Sequence, residues 1–203
     1  MMSDREGIAR EAWTKIKSAG IQCHLDPDSD VLVLCEYAMR LKPSDVYLEI
    51  GTWMGGSAAI VALVTPPTVA VHTIDSASFH EARWRHTAAE YRNILQGNFM
   101  RCGVRDRISI SLLGSIDTSW EKEIDLLFID GEHGHAPVSA DAAKWLPLVA
   151  EGGVALFHDY FLYSGVKRVV DGILEEGSWE RLPGGDNLVA ITRAIPVERL
   201  SDD

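Results

Sequence analysis

A short apolar run that passes through a glycine-rich turn into an apolar helix constrains the fold of this chain most. Residues 46–50 are Val-Tyr-Leu-Glu-Ile, a glycine follows at position 51, and Gly-Gly-Ser at 55–57 precedes the helix-forming run 58–63. A strand, a glycine turn and a helix in this order are typical of the first unit of an open α/β sheet. In such a sheet the turn opens a ligand crevice at the carboxyl ends of the strands.

Strand and helix patterns alternate from this segment onward. Apolar or alternating runs predict strands at 46–50, 69–75, 107–112, 124–129 and 153–158. Helical spacing of apolar residues predicts helices at 56–64, 83–101, 137–148 and 164–175. Nearly continuous apolar runs such as Ile124–Ile129 are typical of central parallel strands covered on both faces. The sequence therefore predicts an α/β fold with a Rossmann-like, doubly wound sheet.

The two ends of the chain differ from this alternating middle. Two helical patterns precede the first strand, the first opened by a capping-box sequence at Ser3 and Glu6, and predict an N-terminal cover. Near the other end, strand patterns at 179–182 and 187–192 flank a Pro-Gly-Gly-Asp turn, which predicts a hairpin at an antiparallel edge. The predicted organisation is a single domain, 1–203, with a helical cover at 1–43, a Rossmann-like core at 44–195 and a frayed polar tail at 196–203.

Charge and composition narrow the class of ligand. The chain has 203 residues, 46% of them hydrophobic, and a net charge of −11, which suits one acidic globular domain. An acidic protein is a poor partner for nucleic acid or anionic lipid, so a small-molecule substrate is favoured and neither nucleic acid nor membrane is expected. Three cysteines without CxxC spacing, and no secretory signal pattern, predict reduced thiols and a cytoplasmic location. A homo-oligomer is left open.

The glycine turn discriminates between two classes of ligand. A dinucleotide fingerprint, G-x-G-x-x-G, needs its second glycine so that the backbone can approach a pyrophosphate. Counting from Gly51, that position is Trp53, whose side chain would obstruct the approach. S-Adenosylmethionine has no pyrophosphate and does not need this glycine. Glu49, at the end of the predicted strand, can then meet the ammonium group of the methionine part directly or through water; an ordinary tight turn is the alternative.

Acidic and hydroxyl side chains after the next two strands extend the predicted cofactor site. Asp75 ends the second strand, where its carboxylate can accept hydrogen bonds from both ribose hydroxyls. NAD carries the same ribose, and a helix N-cap is the structural alternative for this residue. Ser115 follows the third strand and is placed to border an adenine. The predicted cofactor-binding residues are Glu49, Gly51, Thr52, Trp53, Gly55, Ser57, Asp75, Ser76, Ser115 and Asp130.

Two further strand ends carry residues that can hold a metal ion. Asp130 follows the fourth strand and Asp159 the fifth, and neighbouring strands lie about 5 Å apart. Two carboxylates at that distance repel unless a cation lies between them, and Mg²⁺ suits the arrangement. The ion would lower the pKa of a coordinated hydroxyl group, and His133 could take the proton, with His135 and His158 as alternative bases.

Each of these residues also has a purely structural interpretation. Asp130 could cap the helix that begins near Pro137, His158 could be a buried imidazole, and His135 could be exposed and without a role. Their clustering on two neighbouring strand ends favours a functional site. The predicted catalytic residues are Asp130, His133 and His158, and the predicted metal ligands are Asp130 and Asp159.

Four segments in order resemble class I S-adenosylmethionine-dependent methyltransferases. They are residues 48–57, 73–75, 124–133 and 151–160, and the resemblance spans about residues 44–192. It is strongest to the small bacterial branch that acts on sugars and natural products, near cephalosporin hydroxylase-like and macrolide sugar O-methyltransferase sequences. The family implies a seven-stranded sheet whose last strand is antiparallel.

The resemblance also assigns roles to individual residues. It implies cofactor contacts for Glu49, Gly51 and Asp75. In the macrolide sugar enzymes an Asp-Gly-x-His segment supplies a metal ligand and a base, which map onto Asp130 and His133, while a second ligand maps onto Asp159. This chain departs from the catechol-type enzymes, which place an acidic ligand followed by Asn where His158-Asp159 stands here.

The resulting hypothesis is an S-adenosylmethionine-dependent O-methyltransferase that acts on a small-molecule hydroxyl group of a sugar or natural product, with help from Mg²⁺. Two alternatives stay open. One is an NAD-dependent oxidoreductase, which Asp75 permits and Trp53 opposes. The other is a non-methylating protein that uses the same crevice for binding or metal chemistry.

Overall fold

The computed structural model describes residues 4–194, which form a seven-stranded sheet between two layers of helices. The strands are β1 (Val46–Ile50), β2 (Ala70–Ile74), β3 (Ile108–Ser111), β4 (Ile124–Ile129), β5 (Val149–Phe157), β6 (Trp179–Leu182) and β7 (Val189–Arg193). The helices are α1 (Asp4–Ser18), α2 (Asp30–Ala38), α3 (Gly56–Val64), α4 (Ser78–Trp84), α5 (Ala88–Arg101), α6 (His135–Trp145) and α7 (Ser164–Glu175).

The strands lie in the order β3-β2-β1-β4-β5-β7-β6. The first five pair in parallel, whereas β7 runs antiparallel to both of its neighbours, β5 and β6. This arrangement confirms the predicted Rossmann-like sheet with an antiparallel end. The reversal of strand order between β1 and β4 places the crevice above the centre of the sheet.

Alternate residues of the central strands enter two separate cores. Tyr47, Leu126 and Phe128 pack on the side of α1, α2, α3 and α5. Leu48 and Leu127 pack on the opposite side, against α6 and α7. Both faces of β1 and β4 are therefore covered, which is the reason that their apolar runs are nearly unbroken.

The predicted helix at 83–101 is wrong in one respect, because two helices occupy this region. The helical backbone is interrupted at residues 85–87, where Arg85 adopts a left-handed conformation with φ of 57°. Thr87 then starts α5 with a capping box, in which its hydroxyl accepts from the Glu90 amide and the Glu90 carboxylate accepts from the Thr87 amide. The helical spacing of apolar residues continues across the break, so periodicity alone did not reveal it.

Smaller differences concern element ends. β5 begins at Val149 rather than residue 153, and α6 begins at His135 rather than Pro137 and ends at Trp145, followed by a 3₁₀ turn. Ser3 and the predicted frayed tail lie outside the described residues. Within residues 4–194, no helix combines the length and apolar character that a membrane span requires.

Candidate functional site

The carboxyl ends of four parallel strands coincide at one edge of the sheet. Ile50 at the end of β1 pairs with Ile74 of β2 and with Ile129 of β4, and Ile129 pairs with Phe157 of β5. The residues that follow these four positions therefore meet above the sheet. They include the glycine turn, Asp75, Asp130 and His158, which is the set that the sequence places at strand ends.

Gly51 lies where the end of β1 touches the end of β4. Its φ is +92°, a conformation that favours glycine, and a Cβ atom there would lie 2.1 Å from the backbone oxygen of Asp130. The Ile50 carbonyl accepts from the Asp130 amide at 2.8 Å, which fixes the approach. Only glycine fits where the turn touches the neighbouring strand end.

Trp53 occupies the second-glycine position with a backbone that glycine would favour. Its φ is 43°, an uncommon value for a bulky residue and a sign of local strain. Two contacts hold it: its carbonyl accepts from the Tyr91 hydroxyl at 2.6 Å, and its ring packs against His24 with 3.7 Å between centroids and 34° between the planes. The N-terminal cover therefore rests directly on the glycine turn.

Asp75 anchors the same turn. Its Oδ2 accepts from the amides of Thr52 (3.0 Å) and Trp53 (3.1 Å), and its Oδ1 accepts from the Ala77 amide (2.8 Å). The Tyr91 hydroxyl lies 3.1 Å from Oδ2, although its single proton is nearer to the Trp53 carbonyl. A carboxylate has about four acceptor sites, so Oδ1 keeps capacity for a ribose hydroxyl. The ribose contact stays a prediction, and the structure adds a second role that the sequence did not reveal.

Glu49 lies beneath the turn and is fully buried. Its oxygens accept from the hydroxyls of Tyr47 and Thr73, each at 2.9 Å. Burial raises the pKa of Glu49 to about 8, although hydrogen bonds from Ser57, Tyr47 and Thr73 act in the opposite direction. The contact of Glu49 with an ammonium group, directly or through water, stays a prediction.

The remaining predicted cofactor residues differ in accessibility. Gly55 has a φ of +78° and faces the Phe99 ring, and Ser57 is buried at the start of α3. Ser76 is exposed and bonds Ser78. Ser115 bonds Asp141 of α6 through its hydroxyl group.

Asp130, His133, His158 and Asp159 come together at the ends of β4 and β5. The Nδ1 of His158 lies 3.0 Å from Asp130 Oδ1 and 3.5 Å from Asp159 Oδ2. His133 Nε2 lies 2.7 Å from the same Asp159 oxygen. Asp130, His133 and Asp159 each offer one ligand atom, and these three atoms lie within 4.8 Å of one another. His135 is exposed and does not join the cluster.

Two residues that the sequence did not suggest complete this cluster. Asp30, the first residue of α2, is 2% exposed, and its Oδ2 lies 3.4 Å from His158 Nε2. Asn187, in the turn before β7, donates from its side-chain amide to Asp159 Oδ1 at 2.8 Å. Its backbone N–H donates to Asp30 Oδ1 at 3.2 Å. Asp30 contacts His158, which lies 128 positions later in the chain. Asn187 contacts Asp159 from the turn of the final hairpin. No local motif could therefore have identified either residue.

The charges in the cluster are strongly coupled. Burial alone would lower the pKa of His158, but hydrogen bonds to Asp130, Asp159 and Asp30 outweigh it and raise the pKa. Burial alone would raise the pKa of Asp159, but hydrogen bonds from His133, His158 and Asn187 hold it well below its ordinary value. The hydrogen bond to Asp159 raises the pKa of His133, against a smaller effect of burial.

An aromatic ring lies beside the candidate base. Tyr163 stacks on His133 with 4.2 Å between ring centroids and 11° between the planes, and it is 45% exposed. Gly165 allows this contact, because a Cβ there would lie 2.3 Å from the His133 carbonyl oxygen. Phe161 and Leu162 are also exposed, so an apolar surface adjoins the cluster.

The chain matches a known protein family. A family model described as a methyltransferase domain matches residues 48–160, which is more than half of the chain and includes the strand ends that build the crevice. A search of curated protein sequences found no match.

Solved structures share the fold over nearly the whole chain. A protein from Corynebacterium glutamicum is 15% identical, with a TM-score of 0.67 over 96% of this chain and 93% of that one. An O-methyltransferase from Bacillus cereus in complex with SAH is 17% identical, with a TM-score of 0.62 over 95% and 93%. An O-methyltransferase from Streptomyces achromogenes, involved in tomaymycin synthesis and in complex with SAM, is 15% identical, with a TM-score of 0.61 over 96% and 92%.

Proposed function

We propose that this chain, which belongs to the class I S-adenosylmethionine-dependent methyltransferases, transfers a methyl group to a hydroxyl group of a small molecule. Family membership rests on the match over residues 48–160. The observation that carries the choice of a hydroxyl acceptor is the His133–Asp159 pair at the crevice, because a hydroxyl needs a base that a more nucleophilic acceptor does not. The branch that methylates sugars and natural products stays a prediction.

S-Adenosylmethionine is the proposed methyl donor. The Bacillus cereus and Streptomyces achromogenes enzymes carry SAH and SAM in their crystals, and this chain has the same fold. The glycine turn and Asp75 are the proposed contacts for the methionine and ribose parts. The crevice orients the donor and the acceptor for in-line displacement, a reaction that depends mainly on positioning.

His133 is the proposed general base. Its Nε2 faces Asp159, and a carboxylate only accepts hydrogen bonds, so Nε2 carries the proton and Nδ1 has the free lone pair. As the acceptor oxygen forms its bond to the methyl carbon, the carbon–sulfur bond breaks and leaves a neutral thioether. The hydroxyl proton passes to His133 Nδ1, and the resulting imidazolium is stabilised by Asp159.

The ligand atoms at the ends of β4 and β5 decide whether the predicted magnesium ion fits this site. Mg²⁺ prefers oxygen ligands in a nearly octahedral arrangement. Here Asp159 Oδ1 accepts from Asn187 and Asp159 Oδ2 from His133, while Asp130 Oδ1 accepts from His158. The third member of the candidate cluster is an imidazole, not an oxygen ligand. This donor set does not fit Mg²⁺, so the proposed reaction contains no metal-dependent step.

The acceptor is proposed to be a small molecule with an apolar or sugar-ring surface. Tyr163, which stacks on the proposed base, and Phe161, two residues earlier in the chain, are exposed and offer such a ring an apolar contact surface. The net charge of −11 argues against nucleic acid, and we propose a cytoplasmic location on the cysteine pattern.

Calorimetric titration with S-adenosylmethionine tests the cofactor assignment. We expect binding to the wild type and affinity about 10-fold weaker in Asp75→Asn, because the variant loses a charged acceptor. Asp106→Asn is the matched control, since Asp106 is exposed and lies just before β3, at the opposite edge of the sheet from the crevice, and should change affinity less than 2-fold. Absence of binding at millimolar ligand, or tight binding of NADH instead, would refute the proposed function.

A further inference from the structure

Three carboxylates, one of them from the next residue in the chain, surround the imidazole ring of His158. Asp130 and Asp159 approach His158 Nδ1 at 3.0 and 3.5 Å, and Asp30 approaches Nε2 at 3.4 Å. His158 is 5% exposed, and the side chain of Asp30 is 3% exposed. Such buried charges are costly unless each has a partner of opposite sign.

The hydrogen-bonding geometry defines the charge on this ring. An ionised carboxylate accepts hydrogen bonds and cannot donate them. Both nitrogens of His158 face carboxylate oxygens, so both carry a proton and the ring is a cation. One positive charge is thereby held between the two acids that end β4 and β5.

A divalent ion between Asp130 and Asp159 would occupy the same electrostatic position. It would neutralise the two acids and hold their oxygens at fixed distances. His158 already holds both carboxylates and offsets one of their two negative charges, and a second cation beside it would meet like-charge repulsion. The disagreement between these residues and the predicted Mg²⁺ site therefore has a structural cause.

We propose that His158 stands in place of a divalent cation, so that the carboxylate pair at this site works without metal. The proposal rests on the proposed function for its meaning in catalysis, but its structural part does not. In this role His158 is a positioning residue: it holds Asp159, which orients His133, and it does not itself touch the acceptor. Asp30 contacts the opposite side of the ring and helps to fix its orientation.

The first test measures binding of Mn²⁺, a paramagnetic probe for magnesium sites, by electron paramagnetic resonance. Wild-type protein should leave Mn²⁺ free at millimolar concentration. Methyl transfer should keep its rate, within 2-fold, after chelator treatment and without added metal. Saturable Mn²⁺ binding that Asp130→Asn abolishes, or activity that chelation removes and Mn²⁺ or Mg²⁺ restores, would overturn the proposal.

The second test recreates the oxygen ligand. His158→Glu replaces the cation by a third carboxylate beside Asp130 and Asp159, and we expect it to bind Mn²⁺ at least about 10-fold more tightly than the wild type. His158→Gln is the matched control, since it keeps hydrogen-bonding capacity without either charge, and it should bind Mn²⁺ more weakly than His158→Glu. A folded His158→Glu protein that leaves Mn²⁺ free would contradict the proposal.

These readouts are independent of methyl transfer. Circular dichroism and thermal melting establish whether each variant folds, and the wild-type Mn²⁺ measurement decides the proposal if His158→Glu does not. A protein that fails to bind S-adenosylmethionine loses the proposed function, yet its Mn²⁺ behaviour still tests the role of His158. The two failures are therefore distinguishable.

Discussion

The two ends of the crevice are built on different principles. At the glycine-turn end, the negative charge of Asp75 is satisfied by backbone amides from nearby segments. At the carboxylate end, Asp130 and Asp159 are satisfied by side chains, including a buried imidazolium that Asp30 also contacts. The first end is encoded mainly in one strand–turn–helix–strand unit, from β1 through α3 to β2, whereas the second depends on residues that only the complete topology brings together.

The two ends should therefore be sensitive to different kinds of substitution. The turn end depends on backbone shape, so its sensitive positions are glycines and the residues that anchor the turn. The carboxylate end depends on a balance of charges, so removal of one member leaves its neighbours unpaired. Variants at each end should therefore fail in different ways.

The largest effect is expected at the carboxylate end, for His133→Ala. Loss of a general base lowers kcat by about 10²- to 10⁴-fold, while S-adenosylmethionine affinity should stay within about 2-fold because the other end is intact. Single-turnover kinetics and calorimetry measure the two quantities. His135→Ala, an exposed neighbour at the start of α6, is the control and should keep the wild-type rate.

The pH profile sharpens the same prediction. A base must be neutral to accept a proton, and the pKa of His133 is raised by its hydrogen bond to Asp159. In the wild type kcat should therefore rise with pH through a pKa above the ordinary histidine value of about 6.5. A kcat that His133→Ala changes by less than 10-fold would point to another base.

The next effect concerns Gly51, where the two ends touch. Gly51→Ala places a Cβ 2.1 Å from the Asp130 carbonyl oxygen at a φ of +92°. We expect a loss of roughly 3 kcal/mol or more in the free energy of unfolding, from strain and overpacking together. Urea unfolding followed by circular dichroism gives the value.

Gly97→Ala is the matched control for that substitution. Gly97 lies within α5, and a Cβ there comes no closer than 3.6 Å to a flexible arginine side chain. The helix should gain about 0.5–1 kcal/mol. A Gly51→Ala protein as stable as the wild type would mean that the two ends are not rigidly joined.

The smallest effect tests the buried acid beneath the turn. The pKa of Glu49 is raised by burial to about 8 in the folded protein, from 4.5 ordinarily, so the folded state holds this proton more tightly. Its contribution to stability is present below about pH 4.5 and is lost as pH rises through 8. Between pH 6 and 8 the wild type should lose on the order of 2 kcal/mol more than Glu49→Gln.

Chemical unfolding at both pH values measures this difference. Glu180→Gln, at an exposed position in β6, should keep the wild-type dependence on pH. Equal slopes for the wild type and Glu49→Gln would show that Glu49 is ionised in the folded protein.

The sequence predicted the fold better than the contacts within the crevice, for physical reasons. The strand–turn–helix order, the core strands and the antiparallel hairpin depend on local patterns, and all three are confirmed. The residues at strand ends could be placed together because parallel strands finish at one edge. Their individual roles in binding and catalysis stay predictions.

What the sequence could not provide were contacts between distant segments. Asp30 falls in the predicted N-terminal helical cover, and Asn187 was predicted to be the first residue of a strand, although it lies in the turn before β7. Neither position carries a local signal for its partner, since His158 lies 128 positions from Asp30. The single helix predicted at 83–101 failed because Thr87 and Glu90 cap a new helix without disturbing the apolar period.

The hairpin also sets the order in which this protein can be completed during synthesis. A nascent chain that stops before β7 leaves the edge of β5 unpaired, and an open strand edge is a template for aggregation. It also lacks Asn187, the donor that holds Asp159. Asp159 therefore gains its full set of hydrogen-bond partners only when residues near position 187 can fold onto the sheet, so its surroundings are among the later parts of the fold to form during synthesis.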